Sequence, residues 1–288
     1  MSGTLYVVGT PIGNLNDITF RALEVLKTVD LIACEDTRQT LKLLNHYGIK
    51  RKLTSYHKFN ESKKCNGLIK ELKNGKNIAI VTDAGTPCIS DPGYILVKEA
   101  HINDIEVIGI PGASASVTSL SVSGMDTSKF SFVGFLPTES KKITEELNII
   151  KNSSINTFVI YESPKRIVKL VEKIKDTFSE ANLYIASDLT KIHERGFFGN
   201  INQVYETIKN DKNIEKGEYV IILEKRENRV NDIQDENYSI EAELVNVVVN
   251  QKCTIKDAIN ILSESKKYKK NDIYSASLNL KELFKKGR

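Results

Sequence analysis

Apolar residues recur in two alternating rhythms along the first half of the chain. Short runs rich in aliphatic and β-branched residues occur at Leu5-Tyr6-Val7-Val8, Leu31-Ile32-Ala33-Cys34, Leu53-Thr54-Ser55-Tyr56, Ile78-Ala79-Ile80-Val81 and Glu106 to Ile110. Runs of this length, bounded by turn residues, predict strands. Between them apolar residues fall three or four apart and predict helices over about 17–29, 37–47, 61–72 and 94–100. Ile18, Ala22, Val25 or Leu26, and Val29 form the stripe of the first, with Asp17 as its N-cap. Gly48 is placed to close the second as a C′ residue. Regular alternation of strand and helix implies an α/β fold with a mainly parallel sheet covered on both faces.

The rhythm continues beyond a small-residue helix at 113–123. Strands are predicted at 130–133, 157–161, 183–186 and 219–223, with helices at about 141–150, 165–178 and 201–209. This divides the chain into an N-terminal α/β domain at 1–115 and a C-terminal α/β domain at 116–227. The stretch 228–237 is polar and acidic, as a linker is. Three helical patterns follow, at about 240–250, 254–265 and 271–285, with Thr254 and Asp257 as a capping-box variant and Asn271 as a second N-cap. From Glu264 to the end there are eight Lys or Arg against three Asp or Glu. Residues 238–288 therefore read as a basic, three-helix, helix-turn-helix-like appendage.

Composition narrows the class. With 288 residues, 40% hydrophobic and 27% charged, the chain has the make-up of a soluble globular protein of more than one domain. A net charge of +4 permits an acidic partner without requiring one. Cys34, Cys65, Cys88 and Cys253 form no C-x-x-C pair, which predicts free thiols in a reducing compartment. The four histidines lack metal-ligand spacing, so no metal is expected. The first predicted strand begins at Leu5, leaving no room for a signal peptide, and no apolar run approaches the roughly 20 residues of a membrane span. A cytoplasmic location is expected.

Three loops follow predicted strands, where open α/β sheets bind ligands. They are Gly9-Thr10-Pro11-Ile12-Gly13-Asn14, Thr82-Asp83-Ala84-Gly85-Thr86-Pro87-Cys88-Ile89-Ser90-Asp91-Pro92-Gly93, and Ile110-Pro111-Gly112-Ala113-Ser114-Ala115-Ser116. The first lacks the G-K-[ST] of a phosphate cradle and carries Pro11 where a G-x-G-x-x-G needs glycine. Glu35 and Asp36 end the second strand about 20 residues on, as a ribose-binding acid does in dinucleotide folds, which keeps a nicotinamide enzyme as a rival. None of the three loops carries Lys or Arg, which a phosphate ligand would more often meet. A ligand combining sulfonium, ammonium, carboxylate and adenosine suits them better, and that favours S-adenosylmethionine.

Several of these segments together carry a family resemblance. G-T-P-I-G-N-L-N-D-I at 9–18, A-C-E-D-T-R at 33–38, T-D-A-G-T-P-C-I-S-D-P-G at 82–93 and I-P-G-A-S at 110–114 resemble the tetrapyrrole methylase superfamily. Within it the chain is most similar to the bacterial 16S ribosomal RNA cytidine 2′-O-methyltransferases, through G-F-L-P at 134–137, Y-E-S-P-K-R at 161–166, L-T-K-I-H-E at 189–194 and G-E-Y-V at 217–220. The similarity covers almost the whole chain. Lys165 stands where the family has His, and Asp188 where it has Glu, so no role is carried over to those two side chains. The resemblance implies two α/β domains with S-adenosylmethionine in the cleft between them, a homodimer, and 16S ribosomal RNA as partner in the small subunit. Donor-binding positions carried over by motif are Gly9, Thr10, Pro11, Gly13, Asp83, Ala84, Gly85, Thr86, Ser114, Ala115, Tyr161 and Leu189. Asp83 would meet the methionine ammonium or a ribose hydroxyl, and Asp91 would be a turn or helix-cap residue.

Methyl transfer to a ribose hydroxyl needs alignment and a group to take the proton. Candidates are Glu35, Asp36 and Arg38 after the second strand, Glu162 and Arg166 after Tyr161, and Lys191 with Glu194. Asp36 with Arg38, and Glu162 with Arg166, read equally well as structural ion pairs. RNA phosphates could be met at Lys50-Arg51-Lys52, Lys63-Lys64, Lys141-Lys142, Lys165-Arg166 and the basic tail. Two alternatives stand beside this reading: a tetrapyrrole methylase of the same fold, and a ligand-sensing regulator whose terminal helices bind DNA.

Overall fold

The computed structural model describes residues 2–178, 180–225, 239–251, 253–264 and 268–286. Both predicted sheets fall within one compact unit, Met1–Arg226. The first sheet is fully parallel and contains β1 (Leu5–Val8), β2 (Leu31–Cys34), β3 (Leu53–Ser55), β4 (Ile78–Val81) and β5 (Val107–Ile110) in the order β3-β2-β4-β1-β5. Helices α1 (Phe20–Thr28), α2 (Thr37–His46), α3 (Glu61–Lys73) and α4 (Tyr94–Ile102) connect the strands. Two separate cores cover the two faces: Leu68, Leu72, Ile80 and Leu96 on one, Leu26, Ile32, Leu44 and Val81 on the other. That is why β4 reads as a continuous apolar run rather than an alternating one.

Helix α5 (Ala115–Val122) crosses to the second sheet, formed by β6 (Phe130–Phe135), β7 (Thr157–Glu162), β8 (Ala181–Ser187), β9 (Arg195–Asn200) and β10 (Tyr219–Lys225). The order is β6-β7-β10-β8-β9; β6 and β7 are parallel, while β10 runs antiparallel to β7 and β8, and β9 antiparallel to β8. Helices α6 (Ser140–Asn152), α7 (Ile167–Thr177) and α8 (Ile201–Lys209) bury one face through Leu147, Ile174, Ile208 and Ile160. On the opposite face Leu120 of α5 packs with Val159, Val220 and Ile222, and Ile12 of the first half joins this cluster.

The structure corrects several sequence expectations. Helix α1 starts at Phe20, capped by Thr19, whose hydroxyl accepts from Ala22 N–H at 3.1 Å; Asp17 closes a separate 3-10 turn over Leu15–Asp17. Strand β9 was absent from the periodicity reading. Asn271 lies in the first turn of α11 rather than capping it. The linker at 228–237 lies outside the described residues.

A second unit, Glu227–Arg288, contains α9 (Ile240–Gln251), α10 (Ile255–Glu264) and α11 (Lys270–Lys286) around Leu244, Ala258, Ile273 and Leu280. Its capping box is formed: Thr254 N–H donates to Asp257 Oδ2 at 3.1 Å, and Asp257 N–H donates to Thr254 Oγ1 at 3.3 Å. Among the described residues no helix is long and apolar enough to cross a membrane.

Ile160 is fully buried in β7, beneath α6 and α7. Ile160→Ala should lower stability by about 2–5 kcal/mol, read as a shifted urea midpoint with an unchanged slope.

Candidate active site

Parallel pairing sends the loops after β1, β4 and β5 out of the same sheet edge, and their backbones are tied together there. Thr10 N–H donates to Gly85 O at 2.8 Å, Gly85 N–H returns to Thr10 O at 3.2 Å, and Thr10 Oγ1 donates to Thr82 O at 3.1 Å. Gly85 holds φ +89°, a left-handed conformation suited to glycine. Thr86 Oγ1 donates to Ala113 O at 3.3 Å. Gly9 and Gly112 meet face to face: a Cβ on Gly9 would stand 2.8 Å from Gly112 Cα. The loop after β8 arrives from the second sheet, and a Cβ on Gly13 would lie 2.8 Å from Lys191 Cγ.

Between this edge and the β7, β8 and β10 ends of the second sheet lies a cavity of about 400 Å³. Its first wall is Ile12, Ala84 to Thr86, Ile89 to Asp91, Ser114 and Ala115. Its second is Phe135, Tyr161 to Pro164, Leu189 and Glu218 to Val220. The Tyr161 ring packs edge-on against Phe132 and Phe135, with centroids 5.1 and 5.6 Å away. Among the described residues the lining holds three carboxylates, Asp91, Glu162 and Glu218, and no Lys or Arg.

The structure brings together Ala84, Gly85, Thr86, Ser114, Ala115, Tyr161 and Leu189 from the expected donor-binding set. Gly9, Thr10, Pro11 and Gly13 are not among the lining residues; Gly9 and Thr10 are buried against the Gly112 and Gly85 backbones. Asp83 is exposed and outside the lining; its Oδ1 accepts Asp36 N–H at 3.1 Å. Of the catalytic candidates, Glu162 lines the cavity. It is 3% exposed and its Oε2 accepts no aligned hydrogen bond. Arg166 Nη2 lies 3.0 Å from that oxygen, yet its N–H groups are directed at the Leu136 and Pro137 carbonyls, at 3.1 and 3.0 Å. The contact is therefore ionic without a matched hydrogen bond.

The remaining candidates are engaged in holding loops. Glu35 Oε2 accepts from Thr82 Oγ1 at 3.1 Å. Asp36 caps α2 and binds Arg38 through Oδ2 at 2.6 Å, which lowers its carboxyl to about 2. Lys191 Nζ bridges Asp188 and Glu218, each at 2.8 Å, and Glu194 Oε2 accepts Thr190 N–H at 2.6 Å. Asp188 thus serves as an ion-pair partner at a positive φ of 53°.

Two lining acids were not singled out from sequence. Glu218 stood within the G-E-Y-V motif, and its placement just before a strand was the available signal. Asp91 was expected as a turn or cap residue; it lies in the bend leading into α4, whose N-cap is Gly93, and it also lines the cavity. Burial raises the Asp91 carboxyl to about 6, with nearby Glu35 adding to the effect. The Tyr161 phenol is also raised by burial. A raised carboxyl favours the fold while protonated and disfavours it once ionised. Asp91→Asn should therefore raise the melting temperature at pH 8, and the gain should vanish as pH falls from about 6 to 4. A gain independent of pH across thermal melts would refute the titration of Asp91 in this window.

Comparison with known proteins follows the same lines. Residues 4–205 match the family model Tetrapyrrole (Corrin/Porphyrin) Methylases. Ribosomal RNA small subunit methyltransferase I of Buchnera aphidicola subsp. Schizaphis graminum is 40% identical over 283 residues, covering 98% of each chain. The protein of the same name from Thermotoga maritima is 42% identical over 225 residues, which are 78% of this chain and all of that one. In fold, the uroporphyrin-III C-methyltransferase of Thermus thermophilus, solved with S-adenyl homocysteine, superposes with a TM-score of 0.52 at 17% identity, covering 77% of this chain and 97% of that one. The chain belongs to the tetrapyrrole methylase family, alongside the proteins named ribosomal RNA small subunit methyltransferase I.

Proposed function

We propose that this methyltransferase uses S-adenosylmethionine to methylate the ribose 2′-hydroxyl of a decoding-region cytidine in 16S ribosomal RNA. The carrying observation is the cavity between the two sheets, lined by apolar side chains such as Ile12, Phe135, Leu189 and Val220 together with Asp91, Glu162 and Glu218, and free of Lys and Arg among the described residues. Such a wall suits a cationic, nucleoside-bearing ligand and not a polyphosphate. The unmatched Glu162 Oε2 and the loops that approach through bare glycines fit that ligand as well. Relatives about 40% identical carry a name that specifies small-subunit ribosomal RNA. A homodimer acting in the cytoplasm on the small subunit belongs to the same reading.

Bound in the cavity, the donor supplies an activated methyl group with a good leaving group. Backbone groups of Ala84, Gly85 and Thr86 hold its nucleoside part. Helix α5 offers its first-turn N–H groups, since Ser114 makes no side-chain cap, and these suit the donor's carboxylate. Asp91 and Glu218 balance its positive charge. Tyr161, fixed between two phenylalanine rings, limits how the acceptor ribose enters. Glu162 takes the 2′-hydroxyl proton, and Arg166, 3.0 Å from its Oε2, holds the carboxylate in place.

Labelled donor incubated with small subunits lacking the modification should place label on a ribose of 16S RNA. No label on RNA, or label on a base, would refute the reading. Glu162→Gln should lower kcat by about 10²–10⁴-fold with donor affinity retained, measured by single-turnover transfer and calorimetry. Removing Glu227–Arg288 should weaken RNA binding and spare donor binding; the reverse pattern would place the donor site elsewhere.

A further inference from the structure

At the outer end of the first sheet, β3 stops at Ser55 and the chain turns through residues 56–60 into α3. This turn is fixed from within. His57 N–H donates to Asn60 Oδ1 at 2.9 Å, and Asn60 and Glu61 N–H both donate to His57 O, at 2.9 and 3.0 Å. Asn60 Nδ2 meets His57 Nε2 at 3.0 Å, and Tyr56, 1% exposed, anchors the turn in the core. At its tip Phe59 is 93% exposed, with the His57 ring beside it at 6.2 Å between centroids.

Lys58, Lys63 and Lys64 are exposed within five residues of Phe59 in sequence, and Lys64 Nζ donates to Thr54 Oγ1 of β3 at 3.0 Å. Lys63 and Lys64 occupy the first turn of α3, where the helix dipole disfavours cations. Helix stability therefore does not explain Lys63, whereas Lys64 also ties α3 to β3 through Thr54. A single exposed apolar side chain is ordinary on a protein surface. A rigid turn that offers an aromatic face among lysines has the chemistry by which proteins hold unstacked, single-stranded nucleic acid.

Its position agrees. The turn leaves the same carboxyl edge as the cavity loops, and β3 lies two strands from β4, a separation of about 10 Å. Glu61 Oε2 accepts Gly93 N–H at 3.4 Å, joining the start of α3 to the loop that carries Asp91. The run Lys50-Arg51-Lys52 lies at the opposite end of β3, where Arg51 is engaged by the Lys27 carbonyl.

We propose that Phe59 is a stacking platform for an unstacked base flanking the target nucleotide, with Lys58, Lys63 and Lys64 meeting the adjoining phosphates. The assignment rests on the RNA reading of the cavity. Stacking and phosphate contact have different salt signatures, and that separates them. Phe59→Ala should raise KM for RNA roughly tenfold, with kcat, donor affinity and the salt slope of binding unchanged. Phe59→Trp should restore wild-type KM. Replacing Lys63 and Lys64 by Gln should weaken binding and flatten the salt slope by about one to two charges. RNA affinity of Phe59→Ala equal to wild type overturns the platform, as does a change confined to oligomeric state in sedimentation, which would make Phe59 a protein contact. Wild-type protein that labels no RNA sinks the methylation reading. Even then, comparing RNA binding by wild type and Phe59→Ala decides the platform.

Discussion

The site depends on how closely the backbones of the β1 and β5 loops approach. Gly9 and Gly112 touch Cα to backbone, and no side chain fits between them. Because β1 pairs directly with β5 and β4, that contact and the Thr10–Gly85 bridge pull three loops into one surface. The result is one wall of loops held together by their own backbone hydrogen bonds. Preorganised loops of this kind bind a ligand without the cost of ordering them. The second sheet meets that wall through its strand ends, so the cavity inherits its shape from two sheet edges and not from mobile side chains.

Charge in the cavity follows from the same packing. With the loops closed against each other, Asp91 is partly withdrawn from water and sits near Glu35, so its proton is held to about pH 6. Glu162, on the facing wall, is more deeply buried but has Arg166 beside it. Glu218 is tied to Lys191 at the rim. Three carboxylates thus occupy three different electrostatic settings in one cavity. Environments of this kind assign different tasks to chemically identical groups.

Fold and site were not equally legible in the sequence. The first sheet could be read nearly strand by strand, because buried parallel strands such as Ile78 to Val81 are continuous apolar runs. Strand β9 could not: it is an edge strand whose residues are all partly or fully exposed, and it carries two glycines. Gly196 is there for Tyr184, whose hydroxyl would lie 2.7 Å from a Cβ at that position. The motif loops announced a ligand, and their lack of cations carried over to the folded cavity. The assignment of acids within one loop was out of reach. Asp83 and Asp91 differ in which way the Gly85 turn and the Cys88 and Ser90 backbones, both at positive φ, direct the chain. No periodicity encodes that.

The second unit has a core of its own, so its fold does not require the cavity-bearing unit to supply apolar cover. The Thermotoga maritima relative is matched in full by 225 residues, about the length of Met1–Arg226 alone. Within that length lie the complete cavity lining and the turn that carries Phe59. From Glu264 onward the sequence carries eight Lys or Arg against three Asp or Glu. Basic charge in general strengthens attraction to a phosphate backbone whatever its sequence, whereas unstacked bases are selected by shape and stacking.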